Sequence, residues 1–317
     1  MTSTDLSGSP VQSILSTVQL GFGTWSWGDR LFWGFGTDYS DSDLKAAFET
    51  ALSFNLTFFD TAETYGQGKS ESFLGEFVST ASQPVIVATK FAPLPWRITK
   101  KSLIHALKQS LTRLGLPQVD LYQIHMPLPP VSIRVWMEAL CESVDMGLTR
   151  EIGVSNFDLL QTRLAYETLA RWGKHLASNQ VEFNLLNRNA ETSGILNYCK
   201  ENQIRMIAYS PLAQGVLSGK YTPEHLPLGV RGRRYTAQYL ANIQPLINLL
   251  KKIGANHNGK SPSQVSLNWV ISKGALPIPG IKNSAQVEQN AGALGWSLTE
   301  DEIIALDEMS QHVSNHG

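Results

Sequence analysis

Hydrophobic positions along this chain come in two alternating rhythms. Short apolar, β-branched or aromatic runs show no clean period-2 alternation, and between them apolar residues recur at helical spacing. The first rhythm marks strands buried on both faces, the second helices with one buried face. Strand-like runs are expected at 18–25, 57–60, 85–91, 119–125, 151–156, 179–184, 205–211 and 275–279. Helical patterns fill the intervals. The first opens at Ser42 and Asp43 and buries Leu44, Ala47, Phe48, Ala51 and Leu52; others run over 71–79, 100–114, 131–146, 159–171 and 194–202. Two more, near 243–254 and 262–272, follow a long loop after the seventh strand. Ser70 is the expected N-cap of the helix over 71–79.

Eight alternations of strand and helix imply a parallel sheet covered by helices. Eight such units in 317 residues favour a closed (β/α)8 TIM barrel over an open doubly wound sheet. The expected organisation is a flexible tail over 1–17 and one barrel domain over 18–317, with an extra helix at the C-terminus. A Rossmann reading is weak, because Gly21 and Gly23 lack both the third glycine of the fingerprint and the helix that should follow. The string Gly68-Lys69-Ser70 imitates the end of a P-loop, but Glu63 stands where that motif requires glycine. The tetrapeptide GFGT occurs at 21–24 and 34–37 without longer self-similarity, so it marks no repeat.

Composition narrows the function classes. A formal net charge of -1 supplies no positive field for nucleic acid or an anionic membrane. No apolar run approaches the ~18 residues of a membrane span, and the opening MTSTDLSGSPVQSIL lacks a basic region and an apolar core, so no signal peptide is expected. Cys141 and Cys199 are far apart and lie in helical patterns among apolar neighbours, which fits a reducing cytoplasm. The seven histidines form no metal-ligand pair, and no metal is expected. Nothing in the composition requires an oligomer, so a monomer is compatible with it.

The last titratable residues of the second, third and fourth strands are Asp60, Lys90 and His125, and Tyr65 follows in the second loop. In a barrel the C-terminal strand ends ring one mouth, so residues tens of positions apart can converge there. Singly each has a bland alternative: a solvated lysine, a packed tyrosine, a hydrogen-bonded core histidine. Together they suit proton donation to a carbonyl oxygen. Tyr65 would be the acid, Lys90 would favour its ionisation, Asp60 would hold Lys90, and His125 would orient the carbonyl. An aldolase-type Schiff base on Lys90 is the rival barrel chemistry.

In order and approximate spacing these four residues resemble the tetrad of the aldo-keto reductase family. FFDTAETYGQGKSE, IGVSNF, QVEFNLL, IAYSPLAQGVLSGKY and PIPGIKN…QVEQN resemble family blocks as well, from Leu20 to about Asp307. The resemblance implies a (β/α)8 barrel that binds extended NADPH and transfers hydride to aldehydes or ketones. It implies cofactor contacts from Gly23, Thr24, Trp25 and Asp60, and a nicotinamide carboxamide held by Ser155, Asn156 and Gln180, with Tyr209 stacked on the ring. Ser210, Pro211, Leu212, Gln214 and Gly215 would wrap the pyrophosphate, and Gly280, Lys282, Gln286, Gln289 and Asn290 would hold the adenosine end. Where many relatives carry an arginine for the 2′-phosphate this chain has Gln286, so Lys282 or Arg231, Arg233 and Arg234 are the available cations. Potassium-channel β-subunits resemble the same blocks, and they supply the alternative of a cofactor-binding regulatory subunit with little turnover.

Substrate choice would rest with the rim. Trp25, Trp27, Trp33, Phe91, Trp96 and Met126 all fall in or beside loops expected at the mouth, giving an aromatic pocket for a small-molecule carbonyl substrate.

Overall fold

In the computed structural model, residues 13–227 and 229–315 are described. Eight parallel strands pair in sequence order: β1 (Phe22–Gly23), β2 (Phe58–Asp60), β3 (Ile86–Phe91), β4 (Val119–Ile124), β5 (Thr149–Ser155), β6 (Leu176–Glu182), β7 (Arg205–Tyr209) and β8 (Leu276–Ile278). The ring closes between β8 and β1. Gly21 N–H donates to Pro277 O and Gly23 N–H to Pro279 O, both at 3.1 Å, and Gly23 bridges Gly280. This is the (β/α)8 TIM barrel that the alternating pattern implies.

The outer layer consists of α1 (Asp41–Ser53), α2 (Lys69–Ser79), α3 (Lys100–Leu114), α4 (Ile133–Asp145), α5 (Leu159–Ala170), α6 (Asn189–Thr192), α7 (Ile195–Glu201), α8 (Val230–Arg234), α9 (Ala237–Asn256), α10 (Pro262–Ser272), α11 (Ser284–Ala291) and α12 (Glu300–Asn315). The last of these is the extra C-terminal helix. Helix α9 begins six residues before the expected 243, because the Thr236 side chain caps it and Leu240 extends its buried face; Pro245 lies inside without ending it. Ser70 is not the cap of α2. The helix starts at Lys69 after Gly68 (φ 90°), and Ser70 Oγ instead donates to Thr24 O at 2.9 Å while sharing hydrogen bonds with Thr24 Oγ1 and Thr61 Oγ1. One hydroxyl thereby ties the ends of β1 and β2 to α2.

Inside the barrel, Phe58, Ala88, Leu121, Ala177, Ile207 and Leu276 form an apolar plug with Leu15, which is fully buried. Burying such a leucine contributes about 2 kcal/mol. Ser13 Oγ and the Ile14 N–H both donate to the Glu151 carboxylate, at 2.8 and 2.9 Å. The expected tail over 1–17 is corrected accordingly. Ser13, Ile14 and Leu15 pack on the barrel, Ser16 and Thr17 are exposed, and 1–12 lie outside the described residues.

Candidate active site

The apolar plug fills the N-terminal half of the barrel, and polar side chains take over toward the C-terminal mouth. Asp60, the last residue of β2, and Lys90, the penultimate residue of β3, are 1 % and 0 % exposed and form an ion pair. Lys90 commits all three donors: to Asp60 Oδ2, to Thr61 O at 2.9 Å and to the Tyr65 hydroxyl at 3.3 Å. Tyr65 therefore accepts from Lys90, which leaves its own proton free to be given away. Burial raises the phenol above its ordinary range; Lys90 pulls it down and Asp60 up, and the net shift is upward. Burial works against the Lys90 charge, but Asp60 and Tyr65 more than compensate and hold the ammonium above its usual value. Expected as the group that favours ionisation, Lys90 acts in that direction without overcoming burial. The phenol stays protonated at neutral pH, as a proton donor must.

The His125 imidazole stands edge-on to the Tyr65 ring, with centroids 5.8 Å apart. Burial, helped by the Lys90 charge, lowers its pKa to about 3, so it is neutral at physiological pH. A neutral ring carries one N–H to offer to a carbonyl oxygen. Asn156 (φ 61°) holds the backbone here, its Nδ2 donating to His125 O at 2.9 Å, and the Tyr209 hydroxyl donates to Asn156 Oδ1 at 3.0 Å. Asp158 caps α5, its side chain accepting from Gln161 N–H at 2.8 Å. The hydroxyl of Ser155 donates to Gln180 O at 2.8 Å.

A cavity of about 1000 Å³ opens over Tyr65 and His125 and runs along the C-terminal face. Its walls include every expected cofactor residue except Thr24: Gly23, Trp25, Asp60, Ser155, Asn156, Gln180, Tyr209, Ser210, Pro211, Leu212, Gln214, Gly215, Gly280, Lys282, Gln286, Gln289 and Asn290. Thr24 is fully buried, with its hydroxyl bonded to Asp60 O and Ser70 beneath the floor. Ser210, Ala213 and Gln214 adopt positive φ (48°, 47° and 56°), followed by Gly215 at 93°. Left-handed conformations cost non-glycine residues roughly 1 kcal/mol or more, and clustered turns of this kind aim backbone N–H groups at anions.

At the far end Lys220, Arg231 and Lys282 all line the cavity. Burial, with the charges of Arg231 and Lys220, lowers Lys282 to about 8, although Asp38 and Asp29 pull the other way. Gln286 is uncharged and so cannot replace an arginine's cation; its Oε1 accepts from the Lys282 backbone N–H at 2.8 Å. Arg233 does not line the cavity, and Arg234 faces Glu182 at 3.8 Å.

Half of the expected aromatic rim is corrected. Trp25, Trp33 and Met126 line the cavity; Trp27, Phe91 and Trp96 do not. The Trp27 indole is buried against Phe59 and Phe77 and donates to Ile281 O at 3.0 Å. Side chains alternate across a strand, so with Lys90 directed into the barrel Phe91 points out to the helix layer, where it meets Trp136 edge-on at 5.0 Å. Trp96 is 73 % exposed on the outer side of its loop. Sequence reasoning also missed Gln123 and Ser178, two fully buried polar residues beside Asp60. The available signal was a glutamine inside the otherwise apolar run LYQI.

A barrel with a phenol, an ammonium, a carboxylate and a neutral imidazole at its C-terminal mouth, beside a long cation-ended cleft, matches known proteins along nearly its whole length. The model of the Aldo/keto reductase family matches residues 19–311. A chloroplastic pyridoxal reductase of Arabidopsis thaliana is 41% identical over 306 residues, covering 92% of this chain and 83% of that protein. The solved glycerol dehydrogenase AKR11B4 of Gluconobacter oxydans superposes with a TM-score of 0.83 at 27% identity, covering 94% of this chain and 93% of its own. A Klebsiella pneumoniae aldo/keto reductase in complex with NADP and acetate gives a TM-score of 0.72 at 29% identity, covering 92% and 91%. On fold, site and sequence together, this chain belongs to the aldo/keto reductase family.

Proposed function

We propose that this protein is an NADPH-dependent reductase of aldehydes and ketones. The observation that carries the reading is the buried Asp60–Lys90–Tyr65 relay, which ends in a protonated phenol facing the cavity. The cleft suits a dinucleotide phosphate, with the positive-φ turn after β7 for the pyrophosphate and Lys282 with Arg231 for the 2′-phosphate. When bound, NADPH supplies the hydride for the carbonyl carbon. Tyr65 gives its proton to the carbonyl oxygen, and Lys90 stabilises the negative charge left on the phenol oxygen. His125 donates to the same oxygen as a neutral imidazole and aligns it with Tyr65. Trp25 and Met126 exclude water around the reacting carbon.

Lys90 is a poor Schiff-base candidate, being fully buried with every donor engaged and absent from the cavity wall. The two buried, unpaired thiols support a reducing compartment, the cytosol in our reading. Among the described residues no helix is long and apolar enough to cross a membrane. An aryl aldehyde is the substrate class to test first, with pyridoxal included because the Arabidopsis relative is named for it. Tyr65→Phe should lose turnover by 10²-fold or more, the lower range of general-acid contributions, while still binding NADPH. Turnover retained in that variant sinks the proton-donor assignment. Tight NADPH binding by the wild type without reduction of any aldehyde or ketone would instead favour a regulatory subunit.

A further inference from the structure

The Asp60 carboxylate is held on both sides. Oδ2 takes the Lys90 ammonium, while Oδ1 accepts from Gln180 Nε2 at 2.8 Å and from Gln123 Nε2 at 3.2 Å. Gln123 is the penultimate residue of β4 and Gln180 comes from β6, and they are 0 % and 2 % exposed. The Ser178 hydroxyl, also fully buried, donates to Gln123 Oε1 at 3.2 Å. The carboxylate can only accept, so the Gln123 amide must turn its N–H toward Asp60, and the Ser178 hydroxyl holds it there by donating to the amide oxygen on the other side.

The barrel makes room for this chain of contacts. Between β4 and β6 stands Gly153 of β5, where a Cβ would lie 2.2 Å from Ser178 Oγ and 3.1 Å from Gln123 Cγ. Any side chain there would break the link. A buried ion pair is stabilising only when the remaining lone pairs find partners, and N–H donors on a carboxylate favour its charged form. Without Gln123, Oδ1 keeps a single amide donor, from Gln180, on a carboxylate that is almost fully buried. The carboxylate then gains freedom to turn, and with it the ammonium that sets the position of the Tyr65 hydroxyl.

We infer that Gln123, oriented by Ser178, is a positioning residue of the reduction: it fixes Asp60, and through Lys90 the proton-donating Tyr65, without touching substrate. This inference rests on the reductase reading above. Gln123 has no ionisable group of its own; the titratable groups around it are Asp60 and, beyond it, Lys90 and Tyr65.

The test is the single-turnover rate of NADPH oxidation by an aryl aldehyde across pH, in the wild type, Gln123→Met and Gln123→Glu. Gln123→Met preserves shape and removes the donor. Its rate should fall about tenfold while NADPH affinity and aldehyde KM stay within twofold. In Gln123→Glu, the neutral acid can still donate to Asp60, but its ionised form sets two carboxylates face to face and raises its own pKa. At saturating NADPH the rate should therefore approach the wild-type value at low pH and fall as pH rises, a limb the wild type lacks. A residue needed only for packing would leave the Gln123→Met rate unchanged, since that side chain fills a similar volume. A wild-type rate in Gln123→Met overturns the inference. If Gln123→Met does not fold, a Gln123→Glu profile parallel to the wild type overturns it. Absence of reduction by the wild type would count against the reductase reading and not against Gln123.

Discussion

Lys282 donates to the backbone carbonyl of Trp33 at 2.7 Å, joining the loop after β8 to the loop after β1 across the cation-bearing end of the cleft. Its ammonium also lies 5.0 Å from the Trp33 ring centroid and 4.4 Å from that of Tyr39, while Arg231 approaches the Trp33 ring at 5.2 Å. Lys282 thus ties the aromatic loop to the cation-bearing end of the cleft, where the proposed 2′-phosphate would sit. With its pKa lowered to about 8 it is charged at neutral pH and loses its proton just above. Lys282→Met should weaken NADPH binding about tenfold and leave NADH binding nearly unchanged, as read by quenching of tryptophan fluorescence. In the wild type, NADPH affinity should decline as pH rises through about 8. Equal losses for the two cofactors would remove Lys282 from 2′-phosphate recognition.

The barrel and the order of its elements were legible because buried parallel strands and one-faced helices leave different periods in the chain. Asp60, Tyr65, Lys90 and His125 were legible because strand ends converge. What sequence could not settle was side-chain direction. Trp27 and Trp25 are two positions apart in one aromatic stretch, yet one indole is buried against Phe59 and the other lines the cavity. Phe91 was misplaced because its orientation follows from the inward turn of Lys90, which periodicity in so uniformly apolar a strand does not reveal. Residues 13–15 looked like tail because only Ile14 and Leu15, too few to form a periodic pattern, carry the contact with the barrel interior.

Removing one partner of the buried Lys90–Asp60 pair should cost far more than removing both. Lys90→Met leaves a carboxylate with amide donors but no counter-charge in a closed site, and loss of about 3–5 kcal/mol is expected. The double variant Lys90→Met/Asp60→Leu takes away the charge itself and should recover most of that stability without recovering activity. Urea unfolding monitored by circular dichroism measures both. If the double variant is no more stable than Lys90→Met, the penalty is not one of an unpaired buried charge.

His125 predicts a direction for acid stability. Its folded-state pKa of about 3 lies below the ordinary 6.5, so the unfolded chain takes up the proton first as pH falls. The neutral ring therefore stabilises the fold fully above about 6.5, and the contribution is lost progressively as pH drops from there toward 3. His125→Asn should flatten that part of the stability–pH curve. Imidazole nitrogen shifts from NMR should show His125 neutral at pH 5; a protonated ring at that pH would contradict its burial beside Lys90.

Glu63 sets the last expectation, because it joins the loop that carries Tyr65 to the loop after β3. Its Oε1 accepts from Ala92 N–H at 2.7 Å and from Arg97 at 2.5 Å, and Arg97 also donates to Ala92 O at 3.1 Å. The Glu63 side chain is 8% exposed and that of Arg97 24%. Glu63→Ala leaves the Ala92 N–H without its acceptor and Arg97 without its counter-ion. Tyr65, two residues along, then loses its tie to the neighbouring loop. An unmade buried hydrogen bond costs about 1–3 kcal/mol, and misplacement of the donor by a fraction of an ångström is enough to slow proton transfer. The single-turnover rate should fall about tenfold with NADPH affinity preserved. Arg97→Ala should do less, since Glu63 still holds Ala92 and water can replace the guanidinium. Equal losses from the two substitutions would show that the ion pair, rather than the carboxylate's grip on the backbone, keeps the Tyr65 loop in place.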